Sequence, residues 1–206
     1  MLKLIEGSYA SFFPKEMDAM FRSRAETFHG RLGWEVTVKN GYERDRFDEI
    51  NPLYLVSVDP DTERYRGSVR LLPTSGPNML RDVFPFLTGG EVVESATVWE
   101  ASRICAATDD TTVLPHAILS ELIAGMSEVC RLAGLTGIVT VFDARVLRIL
   151  RKIGCPVELL GAPQKVGGIL CYVGMIADGD WLTEFRASQG LPPSVLHHGA
   201  AELAFA

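Results

Sequence analysis

The sequence predicts an α/β protein: a single-domain α/β/α sandwich built on one mixed sheet. Three observations point there. Residues 53–58 and 65–72 are apolar runs joined by Asp59-Pro60-Asp61, the pattern of an antiparallel hairpin. From residue 116 onward, helical and strand periodicities alternate, as a sheet covered by helices requires. No internal repeat and no Gly/Pro/Ser-rich linker divides the chain.

The elements follow in order. Residues 2–6 form the first strand, stopped by Gly7. Pro14 opens a helix, because proline is preset for a first helical turn. Met17, Met20, Phe21, Arg24, Ala25 and Phe28 recur at spacings of three and four and share one face, and Gly30 and Gly33 end the helix. Residues 34–51 are polar and weakly periodic and read as a long loop, of the kind that forms lids or binding segments. The hairpin follows, then a second long loop over 73–94. A strand covers 97–104. Ile118, Leu122, Met126, Val129 and Leu132 mark a helix over 116–132, capped by Gly134. A strand over 138–142 leads into an amphipathic helix over 144–153, ended by Gly154. Strands over 156–160 and 169–176 and a helix over 181–188 complete the set. The domain is expected to fill residues 1–190, with 191–206 a loose tail.

Composition narrows the function. The chain has 206 residues, enough to bury a core without disulfides or metals as staples. Hydrophobic residues at 47% and charged residues at 22% exclude disorder, collagen and coiled coil as whole-chain descriptions. A net charge of −6 argues against general nucleic-acid binding, which needs basic surface to displace counterions. Cys105, Cys130, Cys155 and Cys171 form no C-x-x-C pair and read as reduced and buried. His29, His116, His197 and His198 form no H-E-x-x-H, so no metal site is expected and His197-His198 reads as a solvated pair. Residues 1–6 lack the apolar core of a secretory signal, and no run approaches the ~18 apolar residues of a membrane span. A cytoplasmic protein with no membrane partner is expected, with monomer as the default. There is no G-x-G, no Gly-Lys and no G-x-S-x-G, so dinucleotide, P-loop and α/β-hydrolase signals are all missing.

Eight residues stand out once the elements are placed: Arg24, Phe28, Trp34, Asp45, Asp48, Arg70, Glu100 and Arg103. The pattern R-x3-F-x5-W-x10-D-x2-D, then an arginine inside a strand, then E-x2-R, resembles the acyl-homoserine-lactone synthases of the LuxI type. All eight positions match in type and order. The likeness extends through Met79-Leu80-Arg81-Asp82-Val83-Phe84-Pro85 and Trp99-Glu100-Ala101-Ser102-Arg103, and covers roughly residues 1–180. The resemblance implies a fold similar to GCN5-related N-acetyltransferases. It implies that an acyl group passes from an acyl carrier protein or acyl-CoA to the amine of S-adenosylmethionine. Lactone closure then expels methylthioadenosine, for quorum-sensing signal synthesis. S-adenosylmethionine is a substrate in this reaction, and no cofactor is implied.

The residues also have a reading of their own. A sulfonium cation and a flat base suit aromatic faces, which Phe28 and Trp34 offer; ordinary core packing is the plain alternative. Arg24 lies one turn before Phe28, placed either to clamp a carboxylate or as a solvated helix charge. Asp45 and Asp48 suit the ligand's amine or loop arginines. Arg70, Glu100 and Arg103 interrupt apolar strands, and a buried charge must be paired. A charge network of Arg70, Arg103, Asp45, Asp48 and Glu100 is therefore expected. The attacking α-amine, with a reference pKa of about 7.7–8.0, must lose a proton. Glu100 is the residue assigned to accept it, directly or through a water.

An acyl pocket is expected from Met79, Met126, Thr140, Val141 and Leu150, each of which also suits plain core. By resemblance, a threonine near position 140 accompanies acyl chains with a 3-oxo group. Arg145, Arg148, Arg151 and Lys152 recur at helical spacing and offer a docking face for an acidic carrier protein, or else a solvated face. Two other functions stay open. One is a GCN5-related acetyltransferase using acetyl-CoA, whose pyrophosphate-loop motif has its nearest fits at Gln164-Lys165-Val166-Gly167-Gly168-Ile169 and Arg131-Leu132-Ala133-Gly134-Leu135-Thr136. Neither ends in Gly or Ala. The other is a non-catalytic sensor of S-adenosylmethionine or acyl groups.

Overall fold

The apolar run at 53–58 becomes a strand with all six residues buried, and the chain turns back through Asp59, whose carboxylate accepts from Asp61 and Thr62 N–H at 3.1 and 2.9 Å. A computed structural model describes residues 1–107 and 115–197. Its elements are β1 (Leu2–Glu6), α1 (Pro14–Arg24), β2 (Val38–Lys39), β3 (Tyr42–Glu43), β4 (Leu53–Val58), β5 (Tyr65–Pro73) and α2 (Met79–Asp82). They continue with β6 (Val98–Ala106), α3 (Pro115–Ala133), β7 (Gly137–Asp143), α4 (Ala144–Lys152), β8 (Val157–Leu159), β9 (Gln164–Val166), β10 (Ile169–Ala177) and α5 (Trp181–Gln189). These residues form two compact units interleaved along the chain. Neither unit is contiguous, so no shift in composition marks a boundary.

The first unit takes Met1–Arg70, Arg103–Leu122 and the chain from Val195. Here β1 pairs antiparallel with β4, Leu4 opposite Leu55, and β4 neighbours β5. Helix α1 begins at Pro14 and lays Met17, Met20 and Phe21 against Ile5, Tyr54, Val56 and Val58. The expected loose tail is partly ordered. Leu2 donates to Val195 O at 2.9 Å, His197 N–H donates to Leu2 O at 2.8 Å, and Val195 and Leu196 are buried. β1 has an open edge whose backbone groups need partners, and this segment supplies them. His198 and the rest of the tail lie outside the described residues.

The loop expected over 34–51 also contains structure. Val38 pairs with Glu43 and Lys39 with Tyr42 across Asn40-Gly41, both at positive φ (55° and 84°). That is the two-residue turn for which Asn-Gly is the strongest short-range signal. Past it, Asp45 caps a short 3₁₀ turn, Arg46–Asp48, accepting from Phe47 N–H at 2.9 Å. Asp48 returns a bond to Asp45 N–H at 2.8 Å, which closes a capping box.

The second unit takes Leu71–Ser102 and Ile123–Ser194. β6 and β7 run parallel over Val98↔Gly137 to Ala101↔Thr140. β7 is antiparallel to β10, which also pairs with β8 and β9. The sheet is therefore mixed, as expected. β9 and β10 turn through Gly167-Gly168 at φ 54° and 82°, and Gly134 at φ 64° ends α3. Both fits to a pyrophosphate loop are thus a hairpin turn and a helix end. Asp143 caps α4, accepting from Arg145 and Val146 N–H, both at 2.8 Å. Among the described residues, no helix is long and apolar enough to cross a membrane. None of their His, Cys, Asp and Glu side chains group in threes to hold a metal ion. The four cysteines are buried and form no disulfide.

Candidate active site

Helix α1 places Arg24 inward because it falls on the face of Met17, Met20 and Phe21. The helix then widens into a π turn over Ala25–Arg31, and Leu32 N–H reaches Thr27 O at 3.0 Å. Such turns recur at functional sites. The widening carries the chain past Phe28 to Trp34, whose N–H bonds Phe28 O at 2.8 Å. The two rings lie 5.5 Å apart at 35°. Trp34 Nε1 is buried and has no hydrogen-bond partner. An unpaired buried donor carries a penalty of about 1–3 kcal/mol, so it marks a place for an acceptor.

Three arginines meet three carboxylates in the first unit. Arg24 grips Asp48 with both terminal nitrogens, at 2.8 and 2.9 Å, and its Nε donates to Glu43 at 2.6 Å. Arg70 donates to Asp45 at 2.5 and 3.1 Å and to Asp48 at 2.9 Å. Arg103 reaches Glu43 and Asp45, each at 2.9 Å, and its guanidinium lies 5.0 Å from the centre of the Phe28 ring. Tyr54 OH donates to Asp48 at 2.8 Å. Three cations against three anions leave the cluster neutral, which is what allows it to be buried. Burial alone would raise the Asp48 carboxyl, but the bonds and charge of Arg24, with Arg70, hold it well below the usual carboxylate range. Burial would likewise lower Arg24, and Asp48 and Glu43 outweigh it and keep the cation.

Glu43 and Arg24 join the expected Arg70, Arg103, Asp45 and Asp48 in this network. Glu43 is a full member with no exposed surface, and it lies outside the eight-residue pattern, within the stretch that reads as a loop. Its signal was the Asn40-Gly41 turn, which pairs Glu43 with Val38 and so makes it a strand residue. Arg24 is not a solvated helix charge: its side chain is 1% exposed, and Nε, NH1 and NH2 each donate to Glu43 or Asp48. Arg103 also carries a left-handed backbone, φ 55°, inside a strand. That conformation costs of order 1–3 kcal/mol and persists where the surroundings hold it. Here Glu43, Asp45 and Phe28 hold its side chain.

Glu100 belongs to the second unit. Its two carboxylate oxygens accept from Met79 N–H at 2.9 Å and Leu80 N–H at 2.5 Å, the first backbone donors of α2. Asn78 caps that helix, accepting from Arg81 N–H at 2.9 Å. These two donors fix the plane of a carboxylate that is 1% exposed. The described bonds thus place Glu100 on a helix start.

Met79, Met126, Thr140 and Leu150 are buried in the same unit, with Val141 partly so. Thr140 and Val141 are consecutive on β7 and project to opposite faces. Thr140 Oγ1 is buried without a hydrogen-bond partner. Arg145, Arg148, Arg151 and Lys152 are all exposed on α4 and form no ion pair among the described residues, while Leu147 and Leu150 pack inward.

The chain overlays an N-acetyltransferase structure from Lactobacillus plantarum with a TM-score of 0.57, at 16% identity, over 85% of this chain and 97% of that one. The chain therefore shares the fold of that N-acetyltransferase structure. The CoA-dependent acyl-homoserine lactone synthase BjaI overlays with a TM-score of 0.84 at 24% identity, over 96% of this chain and 92% of that one. The acyl-homoserine-lactone synthase of Agrobacterium fabrum (strain C58 / ATCC 33970) is 38% identical over 174 residues, 82% of this chain and 80% of that protein. The autoinducer synthase family pattern matches residues 10–181. The chain belongs to the autoinducer synthase family and is an acyltransferase.

Proposed function

We propose that this enzyme makes an N-acyl-L-homoserine lactone from S-adenosylmethionine and an acyl thioester, carried by an acyl carrier protein or by coenzyme A. One observation carries the reading: a buried, neutral arginine–carboxylate network beside an aromatic pair whose indole N–H lacks a partner. Phe28 and Trp34 offer their faces to the sulfonium and adenine, and Trp34 Nε1 offers a donor. Asp45, whose side chain is 19% exposed, and Arg103, at 6%, are the network members nearest solvent. We assign them to the ligand's amine and carboxylate. Arg24, Arg70, Glu43, Asp48 and Tyr54 lie behind them and hold them in place. BjaI has been solved with SAM and isopentyl-CoA, the same pair of substrate classes.

Glu100 takes the proton from the α-amine, directly or through a water. The amine attacks the thioester carbon, a C–N bond forms, and the thiolate leaves. The substrate carboxylate then attacks the carbon next to sulfur. A C–O bond forms, the C–S bond breaks, and methylthioadenosine departs with the electron pair. Sulfonium is a good leaving group, so positioning carries most of this step. The unpaired Thr140 hydroxyl suits a 3-oxo oxygen on the acyl chain, and the cationic face of α4 suits an acidic carrier.

The test is turnover by mass spectrometry with S-adenosylmethionine and a panel of carrier-linked and CoA-linked thioesters. Methylthioadenosine and one dominant lactone are expected, with a loss of about 10²–10⁴-fold in Glu100→Gln. Trp34→Phe keeps the ring and removes the N–H, and should raise KM for S-adenosylmethionine several-fold. No lactone from any donor, with S-adenosylmethionine intact, would overturn the reading.

A further inference from the structure

The first unit has a recess whose lining includes none of the network residues. It has a volume of about 300 Å³ and is lined by Arg22, Ser23, Glu26, Arg64 and Tyr65, with Ala19 and Ala107 as apolar wall. At a share of about 30 Å³ per water, that is room for a small metabolite. Ala19, Ser23 and Glu26 recur at helical spacing, so they face the recess together.

The polar groups carry both signs. Arg22 and Arg64 are cationic and exposed, and Glu26 is anionic and exposed. Arg22 gives its Nε to Asp18 at 3.1 Å and NH2 to the Tyr42 hydroxyl at 3.1 Å, which leaves further N–H groups of its five. Ser23 Oγ, buried at the floor, donates to Cys105 Sγ at 3.9 Å, a long bond to a weak acceptor. Tyr65 OH is shared between Ser68 Oγ at 2.9 Å and Cys105 Sγ at 3.2 Å. A bare anion would sit beside the Glu26 carboxylate, and a bare amine beside two guanidiniums. A ligand carrying both charges meets neither repulsion.

We propose that this recess is an effector site for a small α-amino-acid zwitterion. The ligand carboxylate pairs with Arg64 and Arg22, its ammonium pairs with Glu26, and a short aliphatic side chain lies against Ala19 and Ala107. Ser23 adjoins Arg24 in sequence, so an occupant touches the helix that carries the network. None of the five polar lining residues serves the reaction proposed above.

The probe is L-leucine, titrated calorimetrically into the whole enzyme. Two controls are 3-methylbutylamine, which lacks the carboxylate, and 4-methylpentanoate, which lacks the amine. L-leucine should bind, and each control should bind at least about tenfold more weakly, as losing one charged contact predicts. Arg64→Gln and Glu26→Gln should each weaken leucine about tenfold and leave lactone turnover unchanged, which shows the variants folded. Absence of leucine binding, equal binding of all three compounds, or leucine affinity untouched by both substitutions would each overturn the proposal. Loss of turnover in the unmodified enzyme would instead count against the acyl-transfer reading.

Discussion

Arg24 and Asp48 face each other as a two-pronged pair, with bonds of 2.8 and 2.9 Å, and the arginine side chain is 1% exposed and the aspartate side chain not at all. A lysine cannot reproduce a planar fork, and a truncated partner leaves a buried charge alone. Arg24→Met should destabilise the enzyme by about 3–5 kcal/mol. Arg24→Lys keeps the charge and should fall between that variant and the unmodified protein. Urea unfolding of the three proteins checks this order. Equal midpoints would show that the pair contributes nothing to stability.

The same pair sets a pH dependence. The Asp48 pKa is held below its ordinary value in the folded state, chiefly because the bonds and charge of Arg24 outweigh burial. A lowered folded-state value means the contribution is present above the unfolded value of about 3.9 and is lost as pH falls through the folded one. Stability should therefore decline on acidification below about pH 4. Asp48→Asn should be less stable near neutrality and less sensitive across that acid window. Denaturation midpoints over the acid range would read it, and parallel profiles for the two proteins would refute it.

Thr140 has a buried hydroxyl with no partner. Thr140→Val keeps the shape and removes the unpaired group. It should raise stability by up to about 1–3 kcal/mol. In turnover, a preference for 3-oxo over unsubstituted acyl donors should shrink several-fold. A variant that is more stable but keeps its 3-oxo preference would leave Thr140 as a core residue only.

The cations of α4 stand on the exposed face of an otherwise acidic protein. Reversing Arg148 and Lys152 to glutamate should raise KM for carrier-linked donors by about tenfold and reduce its salt sensitivity. KM for CoA-linked donors should change less. An identical change for both donors would mean the face does not recognise the carrier.

Much of the protein was legible in residue order. The strand at 53–58, the turn at Asp59, the helix opening at Pro14 and the apolar stripe of α3 all follow from periodicity and local turn chemistry. Asn40-Gly41 and Gly167-Gly168 were equally local signals. The first lies in a polar stretch that otherwise reads as loop, and the second lies inside a near-fit to the pyrophosphate-loop motif. The Asn40-Gly41 turn is what makes Glu43 a strand residue.

By itself, the sequence determined the mixed α/β class, most of the strands and helices and the eight residues that carry the family resemblance, because these depend on short-range pattern and residue chemistry. Only the tertiary structure decided which carboxylate meets which arginine. Glu43 meets Arg24 and Arg103 across separations of 19 and 60 residues, and Glu100 is held by the backbone of α2. It also decided that residues 195–197 complete the edge of β1, and that Thr140 and Trp34 keep unpaired polar groups. Burial and pairing are set by contacts between distant segments. A charged side chain looks the same in sequence whether water or another charge will neutralise it.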